Sequence, residues 1–230
     1  MIVSHKYRFI FLKTAKTAGT SIEIALSRFL GPDDIITPVS AADEALRRSA
    51  GGRGPQNYRI PIQQLRLRDL AAGLRDRRRL RFYNHMPGCE VRQRLKQDVW
   101  ENYFRFCVER NPFDRVISLY YWTHRTEPRP TLDEFVQTGD LQILTRRGRE
   151  MYTDSSGKVL VDQICRYEDL SSELEAVRVR IGLPESLSLP RAKASHRADQ
   201  RHYREILSDQ SRRLIESQFA REISMFNYAF

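Results

Sequence analysis

Two stretches of this chain carry residue types and spacings that suit anion chemistry. In Lys13 to Ser21 (KTAKTAGTS) the small residues Ala15, Ala18 and Gly19 stand where a backbone must curl, and Thr20 and Ser21 stand where a helix begins. Backbone N–H groups at such a turn, together with the positive helix end, cradle an anion. A Walker loop needs an early glycine and a closing Gly-Lys-Ser/Thr. Here Ala15 occupies the first place and no lysine precedes Thr20, while Lys16 lies further forward, so ATP with magnesium is not the natural ligand. The second stretch, Glu109 to Tyr121 (ERNPFDRVISLYY), sets Arg110 at a strand end and Ser118 on the helix that follows. An arginine fork and a hydroxyl converging there bind a phosphate through charge-assisted hydrogen bonds. A ligand-free turn for the first stretch, and an ion-paired Arg110 with a solvated Ser118 for the second, are the plainer alternatives.

A transfer reaction at such a site needs a base. Among five histidines, His85 in Asn84-His85-Met86-Pro87 follows a strand-like run and is the best candidate. His5 precedes the first strand, His124 sits at a helix end, His202 lies on a polar helix, and Glu23 suits an ion pair better than a base. Cys107 and Cys165 lie in apolar runs and read as buried thiols; no CxxC or Cys/His pair offers a metal site, and none is expected. The run Arg75 to Arg81 is a wet helix face or a grip for an anionic acceptor.

The elements that must position these groups alternate. Tyr7–Leu12 reads as a buried strand, and a helix with Ile22, Leu26 and Phe29 on one face ends at Gly31-Pro32. Residues 31 to 61 hold most of the turn formers and read as an irregular or mobile excursion. Leu65–Leu74 has helical spacing. Leu80–Tyr83, Tyr103–Val108 and Val159–Arg166 read as further strands. Pro112 opens a helix, Thr131-x-x-Glu134 is a capping box, and a helix ends at Gly182. Two closing helices cover about 200–207 and 209–224. The expectation is an α/β, P-loop-like three-layer domain with a central, mainly parallel sheet flanked by helices, with sites at the strands' carboxyl ends. One domain over 1–230 is expected, with 32–78 as its variable part.

The 230 residues carry 39 Lys+Arg against 29 Asp+Glu, a formal charge of +10, so an anionic partner is expected. Forty per cent apolar residues suffice for a core and exclude wholesale disorder. The N-terminal stretch has too short an apolar run for a secretory signal or a membrane span, so a cytoplasmic location is expected. Two other functions fit part of the pattern: a phosphotransferase with a degenerate phosphate loop, and a non-enzymatic polyanion binder. The second explains the charge, though the chain has neither a recognition-helix nor an aromatic-platform pattern, and no nucleic-acid partner is expected.

FLKTAKTAGTS followed by FCVERNPFDRVISLYY resembles the two signatures of sulfotransferases that use 3′-phosphoadenosine 5′-phosphosulfate (PAPS). Asn84-His85-Met86-Pro87, Arg166-Tyr167-Glu168-Asp169-Leu170, the segment Pro190 to Arg197, Tyr203-Arg204 and Phe226-Asn227-Tyr228 are similar to the carbohydrate-type branch, which includes heparan 2-O-sulfotransferases and bacterial relatives. The resemblance spans about residues 7 to 230, with nothing recognisable over 32–78. It implies that Lys16, Thr17, Ala18, Gly19, Thr20 and Ser21 bind the 5′-phosphosulfate, that Arg110 and Ser118 bind the 3′-phosphate, and that Lys193, Ser195 and Arg197 form a late nucleotide contact. It further implies Lys16 and His85 as catalytic residues, a hydroxyl acceptor such as a glycan, adenosine 3′,5′-bisphosphate as product and no metal. One departure stands out: Ala15 occupies a place where the family often has proline.

Overall fold

A computed structural model of the chain describes residues 1–60, 81–190 and 199–230. The helix expected over Leu65–Leu74, the arginines of the basic run before Arg81, and Lys193, Ser195, His196 and Arg197 lie outside the described residues.

Five strands form one sheet: β1 (Ile2–Ser4), β2 (Phe9–Phe11), β3 (Ile35–Ile36), β4 (Phe104–Glu109) and β5 (Gln163–Arg166), in the order β3-β1-β2-β4-β5. The half that carries the loops of interest is parallel, with Phe9 opposite Phe104 and Val108 opposite Cys165. The other half, β1 with β2 and β3, is antiparallel. A strand covered on both faces needs a nearly continuous apolar run; β2 (Phe9-Ile10-Phe11) and the Phe106-Cys107-Val108 stretch of β4 supply one. Phe9, Phe11, Phe106, Val108 and Cys165 point to one face, where they meet Ile22 and Leu26 of α1 (Gly19–Ser27). Further along the chain, Leu174, Val177 and Ile181 join that layer. Ile10, Leu12 and Cys107 point to the other face, against Met86, Val91, Trp100 and Tyr152. The three layers expected from the sequence follow from this period-two alternation.

Other helices are α2 (Ala41–Ser49), α3 (Gly88–Arg94), α4 (Gln97–Asn102), α5 (Pro112–Thr123), α6 (Leu132–Thr138), α7 (Gln142–Arg146), α8 (Arg149–Tyr152), α9 (Leu170–Ile181), α10 (Tyr203–Ile206), α11 (Asp209–Gln218) and α12 (Ala220–Phe226). Asn111 caps α5 and Pro112 occupies its first turn, while Thr131 and Glu134 form the capping box of α6. Gly182 ends α9 in a left-handed conformation. A third apolar cluster joins Phe113, Ile117 and Tyr120 of α5 to Phe135, Leu144, Tyr203 and Phe219, which builds the helical wall beside the sheet. Among the described residues no helix is long and apolar enough to cross a membrane.

Two expectations change. Residues 31–60 are partly regular: β3 pairs with β1, and α2 starts at Ser40, whose hydroxyl accepts from the Asp43 N–H. Of the run expected to be a strand over Leu80–Tyr83, the described residues 81–83 add no strand to the sheet. Arg81 makes an isolated bridge to Arg59 and is exposed, Phe82 is buried, and Tyr83 is partly buried. One core side chain in three residues is too little apolar surface to enter a sheet covered on both faces.

Candidate active site

The carboxyl ends of β2, β4 and β5 lead into Lys13, Arg110 and Tyr167, and all three line one cavity of about 330 Å³. That is within the usual range for a small-molecule site. The first wall is the loop after β2. Thr14 Oγ1 donates to the Val108 carbonyl at 2.5 Å and lies 2.7 Å from Thr17 Oγ1, which ties the loop to the neighbouring strand. Lys16 and Ala18 are left-handed, with φ of 64° and 58°. A side chain in that conformation costs on the order of 1–2 kcal/mol, so the turn stores strain at two adjacent places. Ala18 occupies the N-cap of α1 without a capping side chain, and no acidic residue lies in the first turn. The positive end of α1 therefore has no capping side chain and no carboxylate in its first turn. Gly19 is needed for close approach: a Cβ there would stand 2.7 Å from Lys13 Cγ.

Beneath the loop lies a buried charge network. Lys13 Nζ donates to Glu23 Oε2 at 2.7 Å, the Met1 ammonium binds the other carboxylate oxygen, and Arg47 stands 4.0 Å away. Burial alone would raise the Glu23 pKa, but Lys13 and the Met1 ammonium outweigh it and hold the carboxyl down at about 2. Glu23 is thus an ion-pair residue, as its sequence position suggested.

The second wall comes from β4 and α5. Arg110 pairs with Asp114, donates from Nη1 to the Lys16 carbonyl at 3.1 Å, and lies flat over Tyr167 with 4.0 Å between guanidinium carbon and ring centroid. Its backbone is held from the next residue: the Asn111 N–H donates to Glu168 Oε1 at 2.7 Å, and Tyr228 donates to Glu168 Oε2 at 3.1 Å. The ion pair and the cavity-lining position, which the sequence offered as alternatives, occur together. Ser118 lines the same cavity from α5, and Trp122, a turn later, lies under Lys16 Nζ at 5.5 Å.

His85 reaches this cavity by a route the sequence did not indicate. It sits in a turn before α3 with φ of 55°, and its Nδ1 lies 3.0 Å from the Lys13 carbonyl. A carbonyl only accepts, so Nδ1 carries the proton and Nε2 is left as the accepting nitrogen. A base of near-neutral pKa was expected. Burial, followed by the positive charge of Lys13, instead pushes the imidazole down to about 3, so it is neutral at pH 7. The other described histidines have local partners: His5 meets Tyr103, His124 meets Thr123, and His202 caps α10. Burial raises the Cys107 thiol well above its ordinary value and takes Cys165 to about 12, which makes both poor nucleophiles.

Lys16, Thr17, Ala18, Gly19, Thr20, Ser21, His85, Arg110 and Ser118 thus share one cavity. Sequence reasoning missed its apolar side, which includes Leu119, Trp122, Ile143, Leu144 and Leu170, and it missed Arg115 as a buried residue. The apolar residues are ordinary helix residues in the sequence; only the meeting of α5, α7 and the start of α9 around the loop brings them to one cavity. Arg115 stands inside the second signature, but an arginine's burial is not written in its spacing. Ala15, the departure from proline, donates its N–H to the Arg147 carbonyl at 2.5 Å, a bond proline cannot make.

Among the described residues no group of three or more His, Cys, Asp or Glu side chains is disposed to hold a metal. An uncharacterized protein of Archaeoglobus fulgidus is 35% identical over 108 residues, which cover 45% of this chain and 88% of that protein. No solved structure matches the chain. The sequence profile of the sulfotransferase family matches residues 1–229, nearly the whole chain. A match of that extent shows that the chain belongs to the sulfotransferase family, whose chemistry is sulfonate transfer.

Proposed function

We propose that the chain transfers a sulfonate group from 3′-phosphoadenosine 5′-phosphosulfate to a hydroxyl of a carbohydrate acceptor. One observation carries the reading: two signatures far apart in sequence meet at bonding distance, Arg110 Nη1 to the Lys16 carbonyl at 3.1 Å, around a single cavity. A donor with phosphate groups at two places needs two anion sites on one surface. The residues present suit it, since an uncapped helix start, two left-handed loop residues, a lysine, an arginine and a serine face the same space, with Trp122, Leu119 and Leu170 offering an apolar wall for a flat base.

When bound, the donor supplies a sulfonate activated by a phosphate leaving group. Lys16 and the N–H groups at the start of α1 would hold the phosphosulfate, with Thr20 and Ser21 adding hydroxyls; Arg110 and Ser118 would hold the second phosphate. Lys16 stabilises the oxygen that gains charge as the bond to sulfur breaks. His85 Nε2 takes the acceptor's proton as its oxygen attacks sulfur. The low proton affinity of His85 rises when anionic groups neutralise the field of Lys13. The resemblance to the carbohydrate-type branch supports a glycan acceptor.

The test is calorimetric titration with adenosine 3′,5′-bisphosphate and, separately, with ATP and magnesium, beside an assay of labelled sulfonate transfer to glycan and alcohol acceptors. Binding of the bisphosphate and labelling of a glycan support the reading. Tight binding of ATP with magnesium in place of the bisphosphate would support a phosphotransferase.

A further inference from the structure

Arg115 lies at the centre of the site without lining the cavity. It is 1% exposed, and its guanidinium bonds to three segments of the chain. Nε donates to the Ala15 carbonyl at 2.9 Å. Nη1 donates to Glu109 Oε1 at 2.5 Å, at the end of β4, and that carboxylate also accepts the Arg110 N–H at 3.0 Å and the Tyr152 hydroxyl at 2.9 Å. Nη2 reaches the Leu144 and Arg147 carbonyls at 3.3 and 3.4 Å, at the end of α7. The Ala15 peptide is therefore gripped on both sides, its carbonyl by Arg115 and the N–H of the same residue by Arg147. Gly148 is pressed against both the helix end and the guanidinium: a Cβ there would stand 2.2 Å from the Leu144 carbonyl oxygen, 2.5 Å from Arg115 Nη2 and 2.7 Å from Nη1.

We propose that Arg115 is a positioning residue for sulfonate transfer, which fixes the strained loop bearing Lys16 relative to Arg110 and to the wall formed by Ile143 and Leu144. Five fixed N–H donors in a planar fork make this possible; a lysine has the charge but no fork to meet carbonyls in several directions. The loop holds two left-handed residues, so it relaxes when its clamp is withdrawn. Misplacing a catalytic group by about 1 Å costs on the order of 10²-fold in rate even when binding survives. This proposal rests on the donor reading above only for its kinetic arm.

The experiment compares the wild type with Arg115→Lys, which keeps the charge beside Glu109, and with Arg115→Met, which keeps the length of the side chain and removes every donor. Hydrogen exchange of the peptides covering 13–21 and 142–148 is expected to accelerate about tenfold or more in both variants, with β5 and α9 unchanged. At saturating donor and acceptor, kcat is expected to fall about 10²-fold while the KM for donor changes only a few-fold. Unchanged loop exchange overturns the proposal, as does acceleration spread evenly over the sheet, or a local acceleration that leaves kcat at the wild-type value. If the wild type neither binds the bisphosphate nor transfers sulfonate, the donor reading falls, and the exchange of the loop still decides the role of Arg115.

Discussion

The two sides of the cavity are built by different means. On the Lys16 and Arg110 side, each group follows a strand of a parallel sheet. The register of that sheet, Phe11 opposite Phe106 and Glu109 opposite Arg166, sets where the loops emerge. On the His85 side the imidazole arrives on a turn, held to the loop through Nδ1 and the Lys13 carbonyl. Backbone ladders set where the loops of the first side emerge, and the Thr14 and Arg115 side chains then tie the Lys16 loop in place. The second side depends on one polar contact and on the packing of Phe82 and Met86 beneath it. The difference teaches where substitution does local damage and where it spreads.

The largest expected effect separates the two sides by function. His85→Ala is expected to cut transfer by about 10²–10⁴-fold, the scale of a lost general base, while the bisphosphate affinity stays near wild type. Lys16→Ala is expected to lose rate with a modest affinity change, since its contact strengthens as charge develops. Labelled-sulfonate assays beside calorimetry read both. A His85→Ala variant that transfers at the wild-type rate removes the histidine from the mechanism.

Next in size is the ladder side. Arg110→Ala removes a charge-assisted contact worth roughly 1.5–3 kcal/mol, so the bisphosphate Kd should rise about tenfold or more. Titration of the variant checks it, and an unchanged Kd breaks the assignment of the second anion site. Asp114→Asn leaves the arginine in place and withdraws its competing carboxylate, and is expected to move the Kd the other way.

A smaller effect is pH-dependent stability. The His85 pKa falls from an ordinary 6.5 to about 3 on folding, so the unfolded chain binds more protons between those values. Stability from this group is intact above pH 6.5 and drains as pH falls toward 3, by up to about 1.4 kcal/mol per pH unit. Glu23, held at about 2 against an ordinary 4.5, adds a loss below pH 4.5 in the same direction. Thermal melts of His85→Asn, whose side chain tolerates the left-handed turn, should show a flatter decline between pH 6.5 and 4.5. An identical slope contradicts the burial argument.

The smallest effect is at the strained loop. Ala18→Gly removes a Cβ from a left-handed residue and is expected to stabilise the protein by about 1 kcal/mol, read as a higher Tm. The same change should lower kcat slightly by loosening the loop. A lower Tm would show that the strain is not at that residue.

This contrast also explains what the sequence revealed. β2, the KTAKTAGTS loop, α1, β4 and the start of α5 were legible because an apolar run, a small-residue turn, and Asn111-Pro112 are local signals. The strands β1 and β3, of three and two residues, are too short for periodicity to register. The helix α2 was hidden by Gly51-Gly52-Arg53-Gly54 just beyond it, although Ser40-x-x-Asp43 was its capping signal. The route of His85 was misjudged because Leu80–Tyr83 reads like a strand, while the described residues 81–83 have no place in the sheet. Arg115 was passed over since arginine is seldom buried. Its burial follows from three segments that meet only in the folded chain.

The bond from Thr14 to Val108 joins positions 94 apart, and β2 has no parallel partner other than β4. During synthesis, then, the KTAKTAGTS loop leaves the ribosome long before the strand that shapes it. Pairings of such long sequence separation form late and set a slow folding rate. A nascent chain ending before β4 has the complete first signature and no anion site. The exposed FIFL edge of that nascent chain has to be kept from other chains until Phe104–Glu109 arrives.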